Sequence, residues 1–190
     1  VPYIRRYKQR HPAGLAYAIS KLFVDPRTCD DFWVFNGLRG QEEVRYAIEA
    51  IPEAEFIVLD ADDIVRAERL IKRKDPYDRM IKRKKEHNPV IEKIDSFEAI
   101  GIPEAAEIFS PEEEQQLLEI AENKNTSFVE VANILKLLWI ERSLYDKDAT
   151  IATLKTLAPQ RTCVIDTTDL NPSDVTRKII ERLQELELIE

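Results

Sequence analysis

Hydrophobic residues along the chain fall into two kinds of pattern, short unbroken runs and longer stretches with a helical period. The unbroken runs are residues 32–35 (Phe32, Trp33, Val34, Phe35), 55–60 (Glu55, Phe56, Ile57, Val58, Leu59, Asp60) and 162–166 (Thr162, Cys163, Val164, Ile165, Asp166). Runs this short, rich in β-branched and aromatic residues, predict strands buried on both faces. Between them the period changes. Val44, Ala47, Ile48 and Ile51 mark one face of a helix over 41–51, and Pro52 ends it. Ile64, Ala67, Leu70 and Ile71 do the same over 63–74, with Arg66, Arg69 and Arg73 on another face. A helix is expected over 14–23, preceded by a short helix or loop.

Residues 75–149 read as mostly helical and polar. Ser110 with Glu113 and Ser127 with Glu130 have the capping-box spacing, in which the hydroxyl accepts from an orphan amide and the carboxylate reaches back. Pro111 suits a first helical position. Helices are expected over 128–145 and 149–157. A closing helix after Pro172 has its apolar side at Val175, Ile179, Ile180, Leu183 and Leu186. Strands alternating with helices predict right-handed crossovers and a mainly parallel sheet. Ligands of such sheets gather at the carboxyl ends of the strands, here 36–40, 60–63 and 166–171.

Composition narrows the function classes. A chain of 190 residues, 44% hydrophobic and 34% charged, has enough apolar material for a core and a well-solvated surface. Its net charge of −8 argues against non-specific nucleic-acid binding. Ten basic residues lie between Arg66 and Lys85, with Tyr77 the one aromatic among them, a density that suits a lid or solvated helix better than a nucleic-acid groove. Cys29, Cys163, His11 and His87 are too scattered for a zinc site or a disulfide framework. Asp60, Asp62 and Asp63 suit the start of a helix, so no metal ligand is assigned. With no apolar run of about 20 residues, a membrane span is not expected, and the reading is cytoplasmic.

The ends of the three runs carry a resemblance. Residues 32–40 followed by Gln41, Glu42, Glu43 and Val44 resemble the strand, DGxR and sPeEv element of P-loop small-molecule kinases, such as nucleoside-monophosphate kinases and dephospho-coenzyme A kinase. Residues 56–61 with Arg66, Arg69 and Arg73 resemble the family's next strand and its R-x-x-R helix leading into a lid. Residues 163–168 with Pro172, Ser173, Asp174 and Val175 resemble its last strand and helix. The resemblance covers residues 30–74 and 161–186. It implies a three-layer, mainly parallel P-loop NTPase sheet with a helical insertion, divided as 1–74, 75–149 and 150–190. It also implies ATP-dependent phosphoryl transfer to a small-molecule or nucleotide acceptor, with Mg2+.

By position, Arg39 would hold the acceptor through its phosphate, and Arg66, Arg69 and Arg73 would act in transfer from the lid. Thr167, Thr168 and Asp169 would lie near adenine. Two departures matter. No GxxxxGK[ST] loop occurs, and Gly14, Gly37, Gly40 and Gly101 are the only glycines available to build one. Asn36 stands where the family has an acidic residue. The expected sheet is therefore incomplete at its N-terminal side, with the missing strand and loop upstream of Val1. An uncovered strand edge would favour a homodimer. The alternative to an enzyme is a non-catalytic, kinase-like interaction module.

Overall fold

The computed structural model describes residues 2–23, 25, 27, 33–73, 95–124 and 126–189. It is mixed α/β and mostly helical. In chain order the elements are α1 (Pro2–Arg10), α2 (Gly14–Ile19), α3 (Gln41–Ala50), β1 (Phe56–Asp60), α4 (Asp63–Arg73), a 3-10 turn (Pro103–Glu107), α5 (Pro111–Asn123), α6 (Phe128–Leu144), α7 (Lys147–Leu157), a second 3-10 turn (Pro159–Arg161), β2 (Thr162–Asp166) and α8 (Pro172–Glu185). Two compact units result. One comprises residues 1–60 and 144–190, and the other residues 61–143.

In the first unit β1 and β2 pair in parallel, with Phe56 opposite Thr162 and Asp60 opposite Asp166. This is the whole sheet among the described residues; no second strand pairs with the other edge of β1. Helices α3 and α7 supply the covering layer. Val44 and Ala47 of α3 meet Phe56 of β1, Leu154 of α7 and Ala158 in one core cluster, with Ala16 of α2 packed in. Val58 belongs to the same cluster, as the period of two along β1 requires. Arg161 ties this arrangement together. Its guanidinium donates to the carbonyls of Ile48, Ile51, Pro52 and Ala54, where α3 ends and the chain turns into β1.

The expected strand at 32–35 is not formed where the structure describes it. Phe32 lies outside the described residues. Trp33, Val34 and Phe35 have no regular structure and are 48%, 79% and 42% exposed. A strand of this composition needs a hydrogen-bonded neighbour and two covering layers, and among the described residues it has neither. Among the described residues the sheet is accordingly a parallel pair. Helix α8 also differs. Val175, Ile179, Leu183 and Leu186 are half-buried, Ile180 is exposed, and no residue of the helix is fully buried. Helix α2 stops at Ile19, where the Ser20 hydroxyl donates to the Tyr17 carbonyl.

The second unit is helical. Its core joins Ala67 and Ile71 of α4, Leu117 and Ala121 of α5 and Val131, Leu135 and Leu138 of α6 around Phe97 and Phe109. The two phenylalanine rings meet edge to face, their centroids 5.9 Å apart. Helix α5 starts with the full capping box. Glu113 donates its N–H to Ser110 Oγ at 3.2 Å, and Ser110 donates its own to Glu113 Oε2 at 2.8 Å. Ser127 Oγ likewise accepts from the Glu130 amide at the start of α6. The basic run beyond Arg73, with Tyr77 and His87, lies outside the described residues, as does Cys29. No helix among the described residues is long and apolar enough to cross a membrane.

Candidate functional site

The parallel register of β1 and β2 brings their carboxyl ends together. Thr167, buried, donates both its amide (2.8 Å) and its hydroxyl (2.9 Å) to the Asp60 carbonyl, extending the ladder by one residue. Lys147, the first residue of α7, donates to Asp60 Oδ1 at 2.9 Å. On the neighbouring strand the Thr168 amide donates to Asp166 Oδ1 at 2.9 Å. That bond, then the Thr168 hydroxyl, and further the Lys147 charge, hold the Asp166 carboxyl below the usual carboxylate range. Thr167 and Thr168 thus brace the strand ends, and Asp169 beside them is exposed.

Arg39 lies in the loop before α3, between Gly37 at φ +114° and Gly40 at φ +89°. Both φ values are positive, a range that residues bearing a Cβ adopt only under strain. The Arg39 amide donates to Glu43 Oε2 at 3.2 Å, back from the first turn of α3. Glu43 is 2% exposed and accepts an ion pair from Lys8 of α1, with Nζ 2.5 Å from Oε1. Burial of this carboxylate is tolerated because both oxygens are engaged, one by a full charge. Gly14 makes room for it: a Cβ there would sit 2.2 Å from Glu43 Oε1, and its φ is +47°.

These residues form one wall of a cleft of about 520 Å³, lined also by Tyr7, Leu15, Ala18 and Tyr145. The Lys8 ammonium stands 4.6 Å from the centroid of the Tyr145 ring and the Arg39 guanidinium carbon 5.9 Å from it. Two cations therefore stand near one aromatic ring. The volume falls within the range of small-molecule sites, and mostly apolar walls with a few charged groups are their usual composition. Among the described residues the wall carries the cations Lys8 and Arg39 and the carboxylate Glu43.

The other arginines belong to the second unit. Arg66 is half-buried between two carboxylates, donating to Asp63 Oδ1 at 3.0 Å and to Glu141 Oε2 at 2.7 Å. Asp63 also accepts from Arg142 Nε at 2.6 Å, closing a network between α4 and α6. Arg69 and Arg73 are exposed on the same helix. Arg39, Thr167, Thr168 and Asp169 thus lie in one unit, and Arg66, Arg69 and Arg73 in the other.

Sequence reasoning passed over Lys8, Glu43 and Tyr145. A signal existed for Glu43: it precedes Ala47 by four positions and adjoins Val44, so the helical period places it on the buried side. Lys8 and Tyr145 meet across most of the chain's length, and no local pattern announces such a contact. Among the described residues no three His, Cys, Asp or Glu side chains converge as a metal ion would need. Comparisons with protein families, with curated proteins and with solved structures find no match to this chain.

Proposed function

We propose that this chain carries the acceptor-binding part of an ATP-dependent phosphotransferase of the nucleotide or small-molecule kinase type. The observation that supports this reading best is the cleft at Arg39, which joins two cations to an aromatic ring. In this reading an acceptor places its anionic group between Lys8 and Arg39, and its body lies against Tyr7 and Tyr145, which shield it from water. Arg39 offers a planar fork of donors, suited to orienting a carboxylate or phosphate oxygen pair. Arg66, Arg69 and Arg73 serve as lid cations in this reading, Arg66 being ion-paired also with Asp63 and Glu141. Thr167, Thr168 and Asp169 stand beside the adenine. A three-layer sheet, of which β1 and β2 form two strands, belongs to the same proposal.

ATP with Mg2+ does not fit the residues of this chain alone. No GxxxxGK[ST] loop is present to cradle phosphates, and among the described residues no metal-ligating group converges. No transfer step is therefore assigned to residues 1–190.

A titration calorimetry series tests the reading. Aromatic acceptor probes that carry one anionic group are expected to bind, and Arg39→Ala to weaken them about tenfold or more. MgATP is expected to bind no tighter than millimolar. Micromolar MgATP affinity, or probe binding indifferent to Arg39→Ala, would contradict the proposal. A second reading, a non-catalytic interaction module, draws on the exposed Trp33, Val34 and Phe35 and on the outer edge of β1. Absent acceptor binding, combined with a dimer broken by Trp33→Ser, would favour it.

A further inference from the structure

Helix α1 borders a second hollow, of about 580 Å³, lined by Arg6, Tyr7, Gln9, Arg10 and His11. That volume is within the range of small-molecule sites. Arg6 and Arg10 are exposed and stand one helical turn apart, on one face of α1. Among the described residues neither guanidinium takes part in an ion pair or a hydrogen bond. Glu43, the carboxylate that α1 does meet, is engaged by Lys8. Like charges at this spacing destabilise a helix. The helix dipole favours Arg10, in the last turn, but not Arg6 in the turn before it. Two unpaired cations therefore border one hollow, in a chain whose net charge is −8.

Beside them an aromatic ring is held in place. Tyr7 lines the hollow and is 39% exposed. Its ring centroid lies 5.0 Å from that of His11, which in turn stacks on Tyr17 at 4.5 Å and 13°. We infer that this hollow binds a phosphate monoester borne on an aromatic ring, with Arg6 and Arg10 on its oxygens and Tyr7 against the ring. A phosphate monoester has three acceptor oxygens and nearly two charges, enough for two guanidinium forks. A carboxylate has two oxygens and one charge, which a single fork saturates. Small aryl phosphates and phosphorylated tyrosine side chains share this chemistry. Among the described residues the hollow has only Tyr7 in common with the cleft at Arg39, and the inference does not rest on the acceptor role of that cleft.

Amide NMR titrations of the full chain read the two places separately. The Gln9 amide reports on the hollow at α1, and the Leu38 and Gly40 amides report on the cleft at Arg39. Phenyl phosphate is titrated at pH 8 and low ionic strength, where it is a dianion, and benzoate serves as the monoanion. At Gln9, phenyl phosphate is expected to bind about tenfold or more tightly than benzoate. Arg6→Gln and Arg10→Gln should each weaken it there about tenfold, and added salt should weaken it further. Arg39→Ala should leave the Gln9 isotherm unchanged within about twofold. A phosphotyrosine peptide separates the two sources. If it binds more tightly than phenyl phosphate, the group arrives on a protein partner; otherwise it arrives on a small molecule.

Both arginines are exposed, so the glutamine variants should keep the wild-type far-UV circular dichroism spectrum. Equal affinity for phenyl phosphate and benzoate at Gln9 would overturn the inference. So would an affinity for phenyl phosphate unchanged within about twofold in both arginine variants. Either result leaves the acceptor reading of the cleft untouched. Conversely, saturable shifts at Gln9 with none at Leu38 and Gly40 would support the inference and count against that reading. An absence of shifts at all three amides would overturn both.

Discussion

The Arg161 guanidinium gives the sharpest stability prediction in the first unit. Nη1 faces the carbonyls of Ile51 (3.3 Å), Pro52 (2.8 Å) and Ala54 (3.1 Å), and Nη2 that of Ile48 (3.2 Å). Nη1 carries two hydrogens for three acceptors, so the group makes about three effective bonds. The carbonyls of Ile48 and Ile51 belong to the end of α3, where no later turn of helix provides donors. Hydrogen bonds from a charged donor stabilise by about 1.5–3 kcal/mol each when well buried. Here the group is half-buried and the Pro52 carbonyl reaches solvent, so much of the loss is recovered by water. Ordering the arginine side chain also offsets about 2 kcal/mol.

The guanidinium lies 5.8 Å from the Phe56 ring centroid. The net expectation for Arg161→Ala is a loss of about 2–3 kcal/mol. Arg161→Lys keeps the charge and loses the fork, and should cost about half as much. Equilibrium urea unfolding, followed by far-UV circular dichroism, reads both. With a slope of about 1–2 kcal/mol per molar, the midpoint should fall by roughly 1–2 M for the alanine variant. If Arg161→Ala unfolds within about 0.5 kcal/mol of wild type, the account of how α3 is held to β1 is wrong.

Gly14→Ala should destabilise by about 2 kcal/mol, since alanine at φ +47° is strained and its Cβ would displace the Glu43 carboxylate. A thermal melt within a degree of wild type would refute that. Asp166→Asn tests the strand ends through pH. The carboxyl of Asp166 is held below its usual range, chiefly by the Thr168 amide, so the ionised form stabilises the fold. That contribution is complete above the unfolded value of about 3.9 and is lost as pH falls through the lower folded value. The stability gap between wild type and Asp166→Asn should therefore be open at pH 7 and narrow below about pH 4. A carboxyl titration placing Asp166 above the usual aspartate range would count against this.

Much of the local structure was legible because its causes are local. The run from Phe56 to Asp60 is bounded by Pro52 and an acidic turn, and it forms β1 within one residue of the expected start. The run from Thr162 to Asp166 forms β2 at the expected bounds. Ser110 and Glu113 make their reciprocal cap three residues apart, and Ala67 and Ile71 are buried where the helical period placed them. At 33–35 the same reasoning failed. Trp33, Val34 and Phe35 have strand composition, but composition specifies only a readiness to pair. Arg39 drew attention in the sequence mainly through the family resemblance, and its flanking glycines have positive φ in the structure. The candidate site was illegible at Lys8 and Tyr145, which are remote from Arg39 in sequence.

What the amino-acid order determined alone is therefore most of the helices, the segments of β1 and β2, several caps and stops, and the apolar faces of α3 and α4. These depend on dihedral preferences and on spacings of a few residues. Tertiary structure decided which strands obtained neighbours and that a buried glutamate would join α1 to the Arg39 loop. It also decided that two cations would come near the Tyr145 ring. Those outcomes depend on the three-dimensional return of distant segments, where burial and charge pairing act on groups that no local pattern connects.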